Sequence, residues 1–509
     1  MGTHIDRRGL LQAGAAGAVA APLLAVSPAA PAHAAAPPTM RIDTDVAILG
    51  GGAAGLHTAY RMSQATDLDV CVLEARDRLG GRIHDVVLDP DRPDLVFGAG
   101  ALRVMETQSY VFDLARELGI TLQAGPWQDD LISARGTFAN FSDDTRTAAY
   151  PLVGEGEGTL YDELRFGPLR TQAASFPDFR AYVRAALGTQ GYHFLTDVFR
   201  FRADFQENLD ARGYLDYLDE EWDVCCTAHY PVGGMSQFVH RMADAARAAG
   251  VRIRVDEPAM HISRGNRPHR YVIRTPRYVV QAKHLIIGVD AQAFAHVTGP
   301  VAETITGSRQ FQDLLGVKCV TVAQRWPTAW WSALGEPGQT LRRAWTTEHA
   351  LNALEIPVQP YAADQLVTRT VYDDDCRTVD FWENAARRGT EHVEAEIMRG
   401  LRYLFPDTAI PAPLSTYVQV WPAAWYWLRG GSQHTNADIA AWAVEPVPGE
   451  RISLVGESYN PQRSGWCDGA YQSSIRALNT QFGFDLPLGA TKVHRATCSS
   501  HGCRTHART

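Results

Sequence analysis

The chain has 509 residues, 45% hydrophobic and 21% charged, an ordinary globular composition with length for two or three packed units, which excludes a disordered or fibrous chain. Its 57 acidic against 48 basic side chains give a net charge of -9. There is no basic stripe of the kind that phosphate-backbone binding needs, so nucleic acid is not an expected partner.

Residues 1-34 read as an address rather than as fold. Arg7 and Arg8 precede an Ala/Leu/Val/Gly run from Gly9 to Val26, and Ala32-His33-Ala34 offers a small-x-small cleavage site. The expectation is a twin-arginine signal peptide and a secreted protein, extracellular or periplasmic. The run is short for a membrane span, and no later run is apolar enough to be one, so no membrane is expected as a partner.

After Pro37 and Pro38, the run "DVAILGGG" reads as a buried parallel strand, "AAGLHTAYRMSQ" turns to helical spacing, and "LDVCVLEA" is a second strand ending in Glu74. Strand, glycine turn, helix and strand make a βαβ unit. Gly50, Gly52 and Gly55 satisfy G-x-G-x-x-G in that unit. They allow in turn a tight turn, backbone approach to a pyrophosphate, and close helix packing, with the helix N-terminus at Ala53 and Ala54 facing the phosphate. Glu74 stands where a carboxylate accepts from ribose hydroxyls. NAD and FAD share these features.

Helical patterning runs from Ser109 to about Ala228, strands follow through "VRIRVDEPAMHISR", "RYVIRT" and "HLIIGVD", and strands mix with a helix between Ala291 and Pro446. "RISLVGES" is a strand again, followed by a helix through "DGAYQSSIRALNTQFG". The eight cysteines are too scattered for a disulfide-stapled domain. Cys498, His501, Cys503 and His506 are spaced like metal ligands, but the segment is a polar terminus without periodicity and reads as a frayed end, with no metal expected.

"EARDRLGGR" (Glu74 to Arg82), "YPVGGMSQFVHRMA" (Tyr230 to Ala243) and "LVGESYNPQRSGWCDGAYQSSIRAL" (Leu454 to Leu478) resemble, in this order, three signatures of the flavin amine oxidase family, which contains monoamine, polyamine and L-amino-acid oxidases. The resemblance implies FAD as the cofactor. It places Ala75, Arg76, Gly80, Gly81 and Arg82 at the diphosphate side, Glu457 at the ribityl-phosphate region, and the helix start near Ala470 at the flavin. Gly100, Ala101, Leu102, Arg103, Ala259, Gly456, Gly465 and Trp466 complete the implied binding set. Ser432 stands where covalently flavinylated members carry a cysteine, which implies non-covalent FAD. The implied fold is α/β, with a discontinuous Rossmann-like FAD-binding domain (41-108, 229-290, 447-485), a helical insertion (109-228), a mixed-sheet substrate-binding domain (291-446) and a tail (486-509).

In "FGAGALRV", Arg103 falls where the L-amino-acid oxidases carry a carboxylate-binding arginine, although it also reads as an ordinary arginine before a helix. Lys318 in "GVKCVTV" matches the lysine that holds a water against the flavin, Tyr372 matches a tyrosine sharing carboxylate binding, and Trp466 matches an aromatic wall. The aromatic stretch "VQVWPAAWYWLRGG" reads as a pocket lining or as core. "LIIGVDAQAF" departs from the family's Pro-Pro turn and leaves the substrate-domain entry open. The implied reaction is oxidation of an L-amino acid to a 2-oxo acid and ammonia, with O2 reduced to hydrogen peroxide; a homodimer is compatible with the sequence. The competing readings are an amine oxidase on a carboxylate-free or biosynthetic amine or amide, and a non-catalytic flavin-binding partner protein.

Overall fold

The computed structural model describes residues 40-93, 96-125, 131-139, 150, 157-198, 201-221, 228-266, 270-334, 341-356, 366-488, 497-499 and 502-504. The leader, Cys225, Cys226, His501 and His506 lie outside the described residues.

Two large sheets carry the molecule, as expected for the α/β class. In the first, Arg252–Arg254, Val70–Leu73, Met40–Leu49 and Tyr278–Ile287 lie side by side and parallel. The free edge of Tyr278–Ile287 is then shared. Its first half pairs antiparallel with Tyr271–Arg274, which leads on to His261–Arg264, and its last three residues pair parallel with Ile452–Leu454. Strands covered on both faces need unbroken apolar runs, and Val46, Ala47, Ile48 and Leu49 are all buried. The helix Ala53–Ala65 packs between the helices Ser236–Ala248 and Cys467–Phe482, so the two chain ends of this sheet are locked together through its covering helices.

The second sheet runs Ser415–Leu428, Leu314–Arg325, Val367–Asp373, Ala353–Glu355, Arg343–Thr346, Leu131–Ala134, Thr137–Ala139. It is mixed: Arg343–Thr346 pairs parallel with Leu131–Ala134 and the other pairs are antiparallel. One face packs on the helices Cys376–Arg388 and Thr390–Leu404 through Val320, Val322, Trp382 and Ile397. The other face packs on the helical insertion through Val317, Cys319, Phe179, Phe205 and Tyr214.

The stretch 109-228 is less purely helical than its patterning suggests. Leu122–Gly125 pairs with Ala228–Pro231, and the hairpin 131-139 extends the second sheet. Runs of three or four residues carry too little periodicity to separate strand from helix. Gly188, at φ 69 and ψ 179, breaks the long Phe179–Val198 helix in two. At the tail, Thr497–Ser499 and Gly502–Arg504 form a small antiparallel ladder. Among the described residues no group of His, Cys, Asp or Glu is placed to hold a metal ion, and no helix is long and apolar enough to cross a membrane.

Candidate active site

A cavity of about 1120 Å³ runs from the glycine turn of the first sheet to the inner face of the second. Single-ligand pockets span roughly 300 to 1,000 Å³, so this one has room for a dinucleotide and a substrate together.

At its first end the glycine turn is built by close backbone approach. A Cβ on Gly55 would lie 2.0 Å from the Gly50 carbonyl oxygen, and one on Gly50 would lie 2.6 Å from that of Gly288. Packing therefore demands glycine at both positions. Gly52 differs: its φ of -82° suits any residue, and a Cβ there would meet no protein atom closer than 3.9 Å. The space it leaves belongs to the cavity, which Gly52, Ala53 and Ala54 line. The Ala53–Ala65 helix starts there with no side-chain cap and no acidic residue in its first turn, an end that suits an anionic group. Gly55 itself is not in the cavity wall; its part is structural.

Glu74 accepts from Gly51 N–H at 2.6 Å and from Arg76 N–H at 2.9 Å, and so braces the turn while lining the cavity. Gly80 donates its N–H to Gly51 at 2.8 Å, which brings the Gly80-Gly81 pair onto the turn. Arg82 reaches across to the C-terminal segment, donating to Glu457 at 2.5 Å and to the Ala424 carbonyl at 2.8 Å. Burial opposes its charge, but Glu457 and Asp290 outweigh it and hold the guanidinium protonated beyond its ordinary range. Glu457 spends its other oxygen on the N–H groups of Tyr426, at 3.1 Å, and Gly465, at 2.9 Å. Glu457 thus fixes Arg82 and the Gly465-Trp466 loop while itself lining the cavity.

Trp466 is the N-cap of the Cys467–Phe482 helix, whose uncapped first turn presents Cys467 and Ala470 to the cavity. A helix N-terminus favours developing negative charge on a bound ring. Asp468 lies in the same turn but is bonded to Gln472; burial, partly offset by Arg463, pushes its carboxyl up to about 6. At "LIIGVDAQAF" the chain runs from strand into a short helix. Asp290 caps the short helix Ala291–Phe294, accepts from the Tyr426 hydroxyl at 2.7 Å, and lies 3.8 Å from Arg82. Gly100, Ala101, Leu102, Ala259 and Gly456 also line the cavity. Ser432 does not: its hydroxyl donates to Asp313 at 2.8 Å, away from the cavity wall.

At the other end the wall is charged. Arg103 lines it with Arg369, Glu355 and Tyr372, all carried by or packed against the second sheet. Glu355 bridges Arg343 at 2.7 Å and Arg369 at 3.1 Å, and the Arg369 guanidinium lies 5.3 Å from the centre of the Tyr372 ring. Burial pushes Arg103 down to about 10, with Tyr230 and Glu355 pulling it up and Arg343 and Arg369 adding repulsion. Arg103 and Arg369 thus bring two guanidiniums to the cavity wall beside Glu355. Burial raises the Tyr372 hydroxyl well above its ordinary range, keeping it a neutral donor.

Sequence reasoning misses Arg343, Glu355 and Arg369. A bulge at Thr370 brings Arg369 onto the same face as Tyr372, because Val322 pairs with Val371 while Ala323 pairs with Arg369. The local strand pattern gives no sign of that extra residue.

Lys318 requires a correction. It sits at a register break between Val317 and Cys319, and its neighbours Cys319 and Thr321 line the cavity in its place. Its own side chain points to the helix-covered face and pairs with Asp380 at 3.1 Å, with 42% and 55% of the two side chains exposed. Such a pair is worth at most about 1 kcal/mol. Lys318→Met is therefore expected to leave both the melting temperature and the oxidation rate nearly unchanged, within about threefold, which paired melting curves and peroxide assays would check.

Trp421, Trp425 and Trp427 are both core and lining: each is buried, and each borders the cavity. The Trp421 indole N–H is tied to the Ala99 carbonyl at 2.8 Å.

Residues 53–477 match the family model described as flavin containing amine oxidoreductase. A tryptophan 2-monooxygenase of Pseudomonas savastanoi is 36% identical over 89 residues, 18% of this chain and 15% of that protein. The flavin-containing amine oxidase A of Canis lupus familiaris is 42% identical over 76 residues, 15% of this chain and 14% of that protein. The matched segments thus span about a seventh of these curated relatives. A putrescine oxidase structure, wild type bound to putrescine, superposes with a TM-score of 0.64 at 17% identity, covering 86% of this chain and 98% of its own, which establishes the shared fold. With a family match over residues 53–477, the chain belongs to the flavin-containing amine oxidoreductases, with FAD as its cofactor.

Proposed function

We propose that the protein oxidises L-amino acids to 2-oxo acids and ammonia, with O2 as electron acceptor and hydrogen peroxide as product. The observation that carries this reading is the cavity wall of Arg103, Arg369 and Tyr372, which sets two guanidiniums and a phenol hydroxyl at the end away from the glycine turn. A buried cation repelled by its neighbours gains most from an anionic ligand, and a guanidinium fork binds a carboxylate in one orientation. Fixing the carboxylate fixes the Cα hydrogen, which converts binding energy into orientation. The tryptophan 2-monooxygenase relative is named for an amino acid, in keeping with this reading.

FAD, when bound, would supply the hydride acceptor and the route to O2. It would be held non-covalently by the Gly50–Gly55 turn, Glu74, Gly80, Gly81, Arg82 and the start of the Cys467–Phe482 helix. The chain's own residues do the rest. Arg103 and Arg369 bind the carboxylate, Tyr372 donates to it, and Trp466 with the tryptophans of the Ser415–Leu428 strand excludes water from the amine. We further propose export through the twin-arginine route, supported by Arg7, Arg8 and the Ala32-His33-Ala34 site.

The test is a peroxide assay over L-amino acids, their D-enantiomers and the corresponding decarboxylated amines. Oxidation of the amines as fast as the amino acids overturns the proposal. The pH profile offers a second check. Arg103 is charged below about 10 and loses its charge above it, so KM for an amino acid should rise as the pH is taken past about 10 while a carboxylate-free amine shows no such limb.

A further inference from the structure

The cavity has a second charged feature that the reaction does not use. Asp204, on the short Ala203–Gln206 helix, is 3% exposed and borders the cavity together with Phe201, Tyr214, Tyr217, Trp425 and Trp427. Its Oδ2 accepts from the Tyr214 hydroxyl at 2.7 Å and its Oδ1 from the Trp427 indole N–H at 3.0 Å. Each oxygen keeps a second lone pair. The nearest guanidinium along the chain, Arg202, is committed to Asp373. Asp374, also buried, accepts from Ala203 N–H at 3.1 Å, and burial pushes its carboxyl well above the usual range, so this corner gains no cation from it.

A staple between Tyr214 and Trp427 does not need a carboxylate. An ionised group buried without a cation is costly, whereas a neutral amide makes similar bonds. The rings around it are placed for a cation as well: Trp427 packs at 4.9 Å from Tyr214 and 4.6 Å from Tyr217, giving aromatic faces beside the carboxylate. The cavity is therefore bipolar, positive at Arg103 and Arg369 and negative at Asp204.

We infer that the Asp204 end is a side-chain pocket for a distal cation, so that the preferred substrates are α-amino acids whose side chain ends in an ammonium or guanidinium group. The inference rests on the carboxylate anchor proposed above. In the empty pocket, burial pushes Asp204 up to about 7, with Tyr214 and Trp427 pulling the other way, so an arriving cation meets a group that ionises readily at neutral pH.

Four substrates compared on the holoenzyme at pH 8 separate the two claims: lysine, norleucine, 1,5-diaminopentane and 1-aminopentane. The pocket predicts that kcat/KM for lysine exceeds that for norleucine by about 100-fold or more, the scale expected for a buried charge pair. Asp204→Asn should bring that ratio to within about fivefold of unity. Competition by 6-aminohexanoate against hexanoate gives a binding readout independent of turnover: the amino compound should inhibit the wild-type protein more tightly, even if the variant fails to fold. Equal rates on lysine and norleucine, equal inhibition by the two acids, or an equal loss on both substrates in Asp204→Asn would overturn the pocket. A rate on 1,5-diaminopentane equal to that on lysine would overturn the carboxylate anchor instead, with the preference for a distal cation still read from the two amines.

Discussion

Arg103→Ala is expected to lower kcat/KM for an α-amino acid by about 1,000-fold, because truncating one partner of a buried, hydrogen-bonded charge pair costs roughly 2 to 5 kcal/mol. The fall should be specific: with the decarboxylated amine as substrate, the ratio of wild-type to variant activity should stay within about threefold, since nothing is then left unpaired. Arg103→Lys separates charge from shape. It restores a cation but not the planar fork, and should recover only part of the loss, chiefly in KM. An equal fall on both substrates would show that Arg103 supports the wall without binding a carboxylate.

How much of this site is legible in the letters depends on the distance over which each part is determined. The glycine turn, Glu74 and the Arg82 loop are local. Gly50 and Gly55 are fixed by contacts with the next few residues and with one neighbouring strand, so their spacing carries the geometry. The first sheet is equally legible, because strands buried on both faces announce themselves as apolar runs. The substrate wall is not. Arg343, Glu355 and Arg369 meet only because Arg343–Thr346, Ala353–Glu355 and Val367–Asp373 are adjacent strands, and because the bulge at Thr370 turns Arg369 toward Tyr372. Lys318 is misplaced for a simpler reason: Val317, Cys319 and Thr321 alternate onto the inner face, which leaves the lysine on the opposite face with Asp380. Asp204 has no periodic signal at all, since its helix is four residues long and its partners Tyr214 and Trp427 come from two other elements.

The second large effect is expected at Gly52. Three glycines of one motif are required for different reasons, and substitution can separate them. Gly55→Ala puts a Cβ 2.0 Å from a backbone oxygen, and Gly50→Ala combines a φ of 96° with a 2.6 Å approach to Gly288, so both should fail in the apoprotein, with lost expression or a collapsed melting transition. Gly52→Ala meets no protein atom closer than 3.9 Å, and its backbone is one that alanine adopts freely. The apoprotein should therefore melt within a few degrees of wild type. What the added methyl does enter is the approach to the helix N-terminus, where a pyrophosphate must come against bare backbone. FAD affinity should fall by about 100-fold, or roughly 2.7 kcal/mol, read as loss of flavin on gel filtration and as a shifted fluorescence titration. Retained yellow holoprotein with unchanged affinity would mean that the dinucleotide does not lie across this turn, and the placement of Glu74, Arg82 and the Cys467–Phe482 helix around it would fall with it.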